Sequence, residues 1–312
     1  MFELTKDRFL FPKDYPIKLF EAFSGIGCQR MGMNKYGLPY ESVGISEIDK
    51  YALMSYEAIH GDCKNYGDIY KIKGKDLPPI DLFTFSFPCT DISKAGKQKG
   101  LDGTRSGSVY QVIRILKELK ELGRLPKVLL MENVPDIFQK LFIKEFNTEI
   151  QLPLSEMGYT NYTECLNSKN YGVAQNRNRA FMVSVLGDYY YEFPKQFALE
   201  KKLKDYLEDD VDERYYVSSE VLKTFKKGSS DDGMVGTVDC GVFEINNRVY
   251  GTENSSFTLR AKQPDQKVLV FGNLNPSGQG MNGNVYGGDL SPTLTTNKGE
   301  GLKIVVGGGD YP

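Results

Sequence analysis

Over the first 186 residues of this 312-residue chain, short β-branched or aromatic runs alternate with longer amphipathic ones, which restricts the possible folds more than any other feature. The runs Ile17 to Phe23, Ser42 to Glu47, Asp81 to Phe87, Val128 to Glu132 and Ala180 to Leu186 read as strands. Between them, Cys28 to Tyr36, Lys50 to Ile59, Ser108 to Leu122 and Ile137 to Met157 read as helices. The third helix carries Val109, Val112, Ile113, Leu116 and Leu119 at helical spacing. Such alternation predicts an α/β fold, a doubly wound and mostly parallel sheet with helices on both faces.

After Leu186 the texture changes to tyrosine- and phenylalanine-rich pieces, a charged segment from Glu200 to Arg214, and short strands rich in glycine and asparagine. This predicts a second, smaller, β-rich domain over 187–290. Val249-Tyr250-Gly251 leading to Thr258-Leu259 is echoed by Val285-Tyr286-Gly287 leading to Thr293-Leu294. Two copies are too few for a solenoid and read as a paired hairpin.

Composition removes several chemistries. The five cysteines (28, 63, 89, 165 and 240) include no C-x-x-C pair, so neither a disulfide framework nor a metal site is expected. His60 is the only histidine, which excludes an H-E-x-x-H zinc site, and it reads as structural or solvated. No apolar run approaches the roughly eighteen residues of a membrane span, and the amino terminus lacks a secretory pattern. A cytoplasmic protein is therefore expected. The net charge of −2 leaves the partner open, because binding a phosphate backbone needs a local basic surface rather than a basic total.

Several fragments place reactive residue types at the ends of expected strands. FEAFSGIG (Phe20 to Gly27) leaves the first strand and opens a helix, a geometry that brings a ligand close to the backbone. Glu47 ends the next strand about 20 residues on, where a carboxylate can accept from ribose hydroxyls. Asp68 is a third polar group at the same sheet edge. Pro88-Cys89 closes an apolar strand and precedes TDISKAGKQKG, whose cations would favour a thiolate. Glu132 ends a further strand, and Arg177 and Arg179 alternate ahead of Ala180 to Leu186. Taken singly, these fragments also read as a plain turn, an inert cysteine, a capping carboxylate and a solvated arginine pair.

Taken in order, FEAFSGIG, SEID, GDI, SFPCTDISKAGKQKG, RSG, MENV and QNRNR resemble the motif series of the DNA (cytosine-5) methyltransferases over roughly residues 17 to 186. The resemblance implies a class I methyltransferase-like domain over 1–186 that binds S-adenosyl-L-methionine and acts on double-stranded DNA. It assigns Phe23, Ser24, Gly25 and Gly27 to the cofactor turn, Glu47 to the ribose, Ile48 to the adenine face, and Asp68 with Ile69 to the adenine edge. Pro88 would border the methionine part and Val109 would add an apolar contact. Cys89 would be the nucleophile that attacks cytosine C6 and Glu132 would engage N3. Arg179, with Arg177 beside it, would clamp the base. Within 93–100, Ser93, Lys94, Lys97, Gln98 and Lys99 would meet DNA around a cytosine flipped from the stack.

Two departures qualify this expectation. Thr90 stands where the family usually has glutamine. Ser291 to Asn297 resembles the penultimate motif, and 291–312 would begin the return to the first domain, but the closing motif is missing. The expectation is a monomer, or a protein completed by a second polypeptide. The rival readings are a DNA-binding methyltransferase-like subunit inactive alone, and a dinucleotide-dependent oxidoreductase using the same glycine turn. Base readout in the second domain needs polar side chains, for which Asn246, Asn247, Arg248, Arg260, Asn273, Asn282 and Asn284 are available.

Overall fold

A computed structural model describes residues 10–88, 106–206, 223–227, 234–237, 248–251, 256–257, 267–271 and 303–307. It divides into two compact units, Met1–Leu166 with Asn178–Pro194, and Asn167–Arg177 with Lys195–Pro312. This division differs from the single boundary expected at residue 186. Residues 167–177 fall with the second unit because Gln175 and Asn176 pair with Ser256 and Phe257, and Tyr171 bridges to Phe197.

The first unit is built on strands β1 (Ile17–Ala22), β2 (Tyr40–Ser46), β3 (Leu82–Phe85), β4 (Val128–Asn133), β5 (Tyr159–Asn167) and β7 (Asn178–Leu186), with β6 (Gln175–Asn176) lying outside its sheet. The sheet order is β2-β1-β3-β4-β7-β5. β2, β1, β3 and β4 run parallel, and β7 is antiparallel to β4. After β2 the chain crosses back over β1 to form β3, so the winding reverses at β1 and opens a crevice at the carboxyl ends of β1 and β3.

Strand alternation divides the core between the two faces. Phe20, Ala22, Phe83, Phe85, Leu129, Met131, Ala180 and Met182 face one layer, and Ile17, Leu19, Leu82, Val128, Val183 and Val185 face the other. The first layer is closed by α3 (Val109–Glu121), which buries Val109, Val112, Ile113, Ile115, Leu116 and Leu119. Truncating one of these, as in Leu116→Ala, costs about 2–5 kcal/mol. Met33 of α1 (Cys28–Lys35) packs in the second layer. α2 (Lys50–His60) buries a single residue, Tyr56.

Two expectations of the strand and helix pattern are corrected. The segment 137–157 is not one helix. A 3-10 turn at Pro135–Phe138 is followed by α4 (Ile143–Phe146), a π turn at Asn147–Gln151 and α5 (Leu152–Glu156). Pro153 explains the π turn, since its ring clashes with an α-helical carbonyl and the wider turn ahead of it relieves the clash. β5 was not expected, because its sequence YTNYTECLN is mostly polar, as suits an edge strand.

In the second unit, β8 (Lys226–Lys227), β9 (Met234–Thr237), β10 (Arg248–Gly251), β12 (Lys267–Phe271) and β13 (Lys303–Gly307) form one sheet, and β11 (Ser256–Phe257) pairs with β6. β10 lies antiparallel to β9 and parallel to β12. Of the candidate base-reading residues only Arg248 is described, opposite Thr237. The repeat copy at 285–294 lies outside the described residues.

Candidate active site

Because β1, β2, β3 and β4 are parallel, their carboxyl ends share one sheet edge. That edge gathers the turn at 23–27, Glu47, the segment 86–88 and Glu132. The antiparallel β7 brings its amino end, and with it Arg179, to the same edge. Strand direction alone therefore collects five separated pieces of sequence.

The turn after β1 is built from backbone. Phe23 has φ 56°, the one non-glycine residue with positive φ among the described residues, and Gly25 and Gly27 have φ 55° and 78°. The N–H groups of Phe23 and Ser24 donate to Ser46 O at 2.8 and 3.3 Å, and the Gly27 N–H donates to Ser24 O at 2.9 Å. Glu47 then fastens the turn to the end of β2. Its Oε2 accepts the Gly25 N–H at 2.9 Å, while Oε1 accepts the N–H groups of Ile48 and Asp49, each at 2.8 Å. A carboxylate offers about four acceptor positions, so one remains on Oε2 for a ligand.

Asn65 holds the backbone of Glu47 in both directions, accepting its N–H at 3.2 Å and donating to its carbonyl at 3.0 Å. The same Asn65 oxygen accepts the Gly67 N–H, which sets up Asp68. Asp68 Oδ1 takes the Tyr70 N–H at 3.0 Å. Arg114 of α3 locks the following segment by donating to Ile69 O and Ile72 O at 3.2 and 2.8 Å. The side chains of Ile69 and Val109 lie in the core, so both support the crevice from beneath and need no ligand to bury them.

The fit to S-adenosylmethionine can be tested on these residues. Ser24 is buried and its Oγ has no hydrogen-bond partner among the described residues. A Cβ on Gly25 would meet nothing within 4 Å, so the backbone there faces open space. Ile48 is 74% exposed, an apolar side chain with an uncovered face. An orphaned hydroxyl, an open backbone turn, a spare carboxylate acceptor and an uncovered apolar surface suit a ligand with polar arms and a flat ring.

On the other side of the crevice, Glu132 ends β4 and Arg179 begins β7. Arg179 Nε stands 2.9 Å from Glu132 Oε1, with the two side chains 19% and 22% exposed. Arg179 also donates to Asn178 O at 2.7 Å. Asn133 joins this strand end to the neighbouring one: its Nδ2 donates to Phe87 O at 3.1 Å, and its Oδ1 accepts the Val134 N–H at 2.8 Å. Gln29 of α1 donates to Ser86 Oγ at 3.0 Å, which ties the glycine-turn helix to the same segment.

Sequence reasoning assigned no role to Asn133, Asn65 or Gln29. The available signal for Asn133 was a polar residue closing an apolar strand beside Pro88-Cys89. Cys89, Ser93, Lys94, Lys97, Gln98 and Lys99 lie outside the described residues, whereas Pro88 is described and exposed. Arg177 falls in the second unit, where its carbonyl accepts the Ser168 N–H at 3.0 Å. No group of acidic, cysteine or histidine residues among those described could hold a metal ion. No described helix is long and apolar enough to cross a membrane.

Comparison with known proteins gives this geometry a family. The profile of the C-5 cytosine-specific DNA methylases matches residues 17–297. The orphan methyltransferase M.SPRI of Bacillus phage SPR is 34% identical, aligned over 93% of this chain and 66% of its own length. The orphan methyltransferase M.SssI of Spiroplasma monobiae is 30% identical over 83% of each chain. The chain spans about two-thirds of the length of M.SPRI. In fold it is similar to the Entamoeba histolytica methyltransferase EhMeth, with a TM-score of 0.59, 20% identity, and 78% and 70% of the two chains covered. It is also similar to S. pombe Dnmt2, with a TM-score of 0.54, 20% identity, and coverage of 77% and 69%. The chain belongs to the C-5 cytosine-specific DNA methylase family, whose methyl donor is S-adenosylmethionine.

Proposed function

We propose that this protein transfers a methyl group from S-adenosylmethionine to C5 of a cytosine in double-stranded DNA. The observation that carries the reading is the Glu132–Arg179 pair, 2.9 Å apart at the sheet edge shared with Pro88 and the glycine turn. A carboxyl group beside a planar, permanently charged donor suits one edge of a pyrimidine, where N3 and the carbonyl oxygen lie side by side.

In this reading Phe23, Ser24, Gly25 and Gly27 cradle the cofactor. Glu47 accepts from its ribose, Ile48 covers its adenine, and Asp68 with Ile69 and Pro88 border the rest, with Val109 supporting them from the core. When bound, S-adenosylmethionine supplies an electrophilic methyl group. The thiolate of Cys89 adds to C6 of the base, and the new bond turns the ring into an enamine whose C5 is nucleophilic. Glu132, hydrogen-bonded at N3, offsets the charge that builds on the ring, and Arg179 holds both Glu132 and the base. Once C5 gained the methyl group, S-adenosylhomocysteine would be released, C5 would give its proton to solvent, and the returning electron pair would expel Cys89 as thiolate and restore the aromatic ring. The target base must leave the duplex stack for this to occur, and Ser93, Lys94, Lys97, Gln98 and Lys99 are assigned to the DNA contacts that accompany extrusion. The second unit is assigned to reading the target sequence.

The test is transfer of labelled methyl from S-adenosylmethionine to duplex DNA, with covalent trapping on DNA containing 5-fluorocytosine. The wild type gives both signals, and Cys89→Ser gives neither while keeping its fold and its cofactor affinity. Full transfer by Cys89→Ser would sink the nucleophile assignment.

A further inference from the structure

The cofactor turn is also held from behind, by residues that no step of the reaction uses. The buried face of α2 carries Tyr56 and, one turn later, His60, with ring centroids 4.7 Å apart. The Tyr56 hydroxyl donates to Glu21 Oε2 at 2.6 Å and accepts from Arg30 Nη1 at 3.2 Å, which links α2 to β1 and α1 together. Glu21 is fully buried two residues ahead of the turn, and burial holds its carboxyl above the usual carboxylate range. His60 Nε2 lies 3.2 Å from Ile26 O and 3.1 Å from Gly27 O. Both acceptors are carbonyls, so Nε2 carries the proton and Nδ1 does not.

Two features separate this arrangement from ordinary packing. Nδ1 of His60 is buried with no hydrogen-bond partner among the described residues, an unfavourable arrangement that an apolar side chain of similar size would avoid. Gly27 makes room for the two rings, because a Cβ there would stand 2.4 Å from His60 Nε2 and 2.6 Å from Tyr56 Cε2. With trans, planar peptides, fixing the Ile26 and Gly27 carbonyls towards α2 directs the N–H groups of Gly27 and Cys28 away from it, and His60 adds to the Gly27 N–H bond to Ser24 O and the Met31 N–H bond to Gly27 O, each 2.9 Å, that also hold these planes.

We propose that His60, seated on Tyr56, is a positioning residue for the cofactor turn, fixing its peptide planes through the Ile26 and Gly27 carbonyls so that the opposite side is set for S-adenosylmethionine. The proposal rests on the assignment of the turn to that cofactor. Its test is the dissociation constant of S-adenosylmethionine by calorimetry, with amide hydrogen exchange at 26–28 in the absence of cofactor. His60→Leu keeps the bulk and loses the donor. It weakens binding about tenfold, the equilibrium factor of one net hydrogen bond, and speeds exchange at the turn. KM for S-adenosylmethionine rises by a similar factor, while kcat stays within about twofold. His60→Gln, whose amide N–H can reach the same carbonyls, restores most of the affinity. Should His60→Leu fail to fold, Tyr56→Phe keeps the ring beneath Gly27 and cuts the links to Glu21 and Arg30, and weaker cofactor binding is again expected. Wild-type affinity in the variant that folds, or a His60→Gln protein as weak as a folded His60→Leu protein, overturns the positioning role. A wild-type protein that binds no S-adenosylmethionine overturns the underlying cofactor assignment instead.

Discussion

Two glutamates at the same sheet edge are held in opposite ways. Glu47, at the end of β2, accepts three backbone N–H groups, from Gly25, Ile48 and Asp49, so its position is set by the main chain. Glu132, at the end of β4, is met by a side-chain guanidinium. Backbone amides cannot follow a change of charge, whereas an arginine on a long stem can trade one acceptor for another. Glu47 is a fixed acceptor, and in the proposed reaction it holds its ligand through a whole turnover. In the proposed reaction, Glu132 is the carboxyl whose partner can change.

Substituting each glutamate by its amide tests that contrast most strongly. Glu132→Gln lowers the methyl-transfer rate by about 10²- to 10⁴-fold, the range of a general acid or base, with the cofactor dissociation constant unchanged in calorimetry. Glu47→Gln does the reverse. It removes a charged acceptor and raises the dissociation constant of S-adenosylmethionine by about 10- to 100-fold, while the rate at saturating cofactor stays near wild type. An equal loss of rate in both variants would erase the distinction.

Gly27→Ala probes the turn together with the two rings packed beneath it. Its φ of 78° and the 2.4 Å approach to His60 Nε2 leave no room for a methyl group. Urea denaturation should show a loss of about 1–3 kcal/mol together with weaker cofactor binding. The smallest effect concerns pH. Burial and then the charge of Arg30 hold the His60 imidazole below its ordinary value of 6.5. The unfolded chain therefore takes up that proton first, and the His60 contribution to stability is present above pH 6.5 and lost as pH falls through the depressed folded value. Glu21, raised by burial, acts with the opposite sign, from 4.5 upward. The difference in Tm between the wild type and His60→Gln isolates the histidine, and should shrink by about 1–2 °C between pH 7.5 and pH 5.5.

Much of the edge was legible in the sequence because strand ends are local. Glycines after a strand, an acid closing the next and Pro88 following a third are all visible in short windows, and parallel direction then brings them together. Other features depend on contacts far apart in the chain. Arg177 and Arg179 look equivalent as an alternating pair, yet the boundary between the two units passes between them, and only the strand register brings Arg179 to Glu132. Val109 was read from its residue type as an apolar contact, whereas its full burial on α3 depends on the packing of the helix against the sheet. His60 reads as structural or solvated, and its contacts with the Ile26 and Gly27 carbonyls were not legible because both lie more than thirty residues away. β5 was missed because an edge strand needs few apolar residues, and the break after Phe138 because apolar spacing continues across it.

The antiparallel β7 also has a consequence for how the protein is made. Arg179 follows Glu132 by 47 residues (179 − 132), and its strand enters the sheet between β4 and β5 rather than outside them. A nascent chain that has left the ribosome only as far as β5 has β4 as an open edge, with its hydrogen-bonding groups unpaired on that side and available to another chain. Emergence of the chain through Leu186 lets β7 close that edge and bring the guanidinium to its carboxylate in one event. During translation, protection from aggregation and assembly of the Glu132–Arg179 pair therefore arrive together.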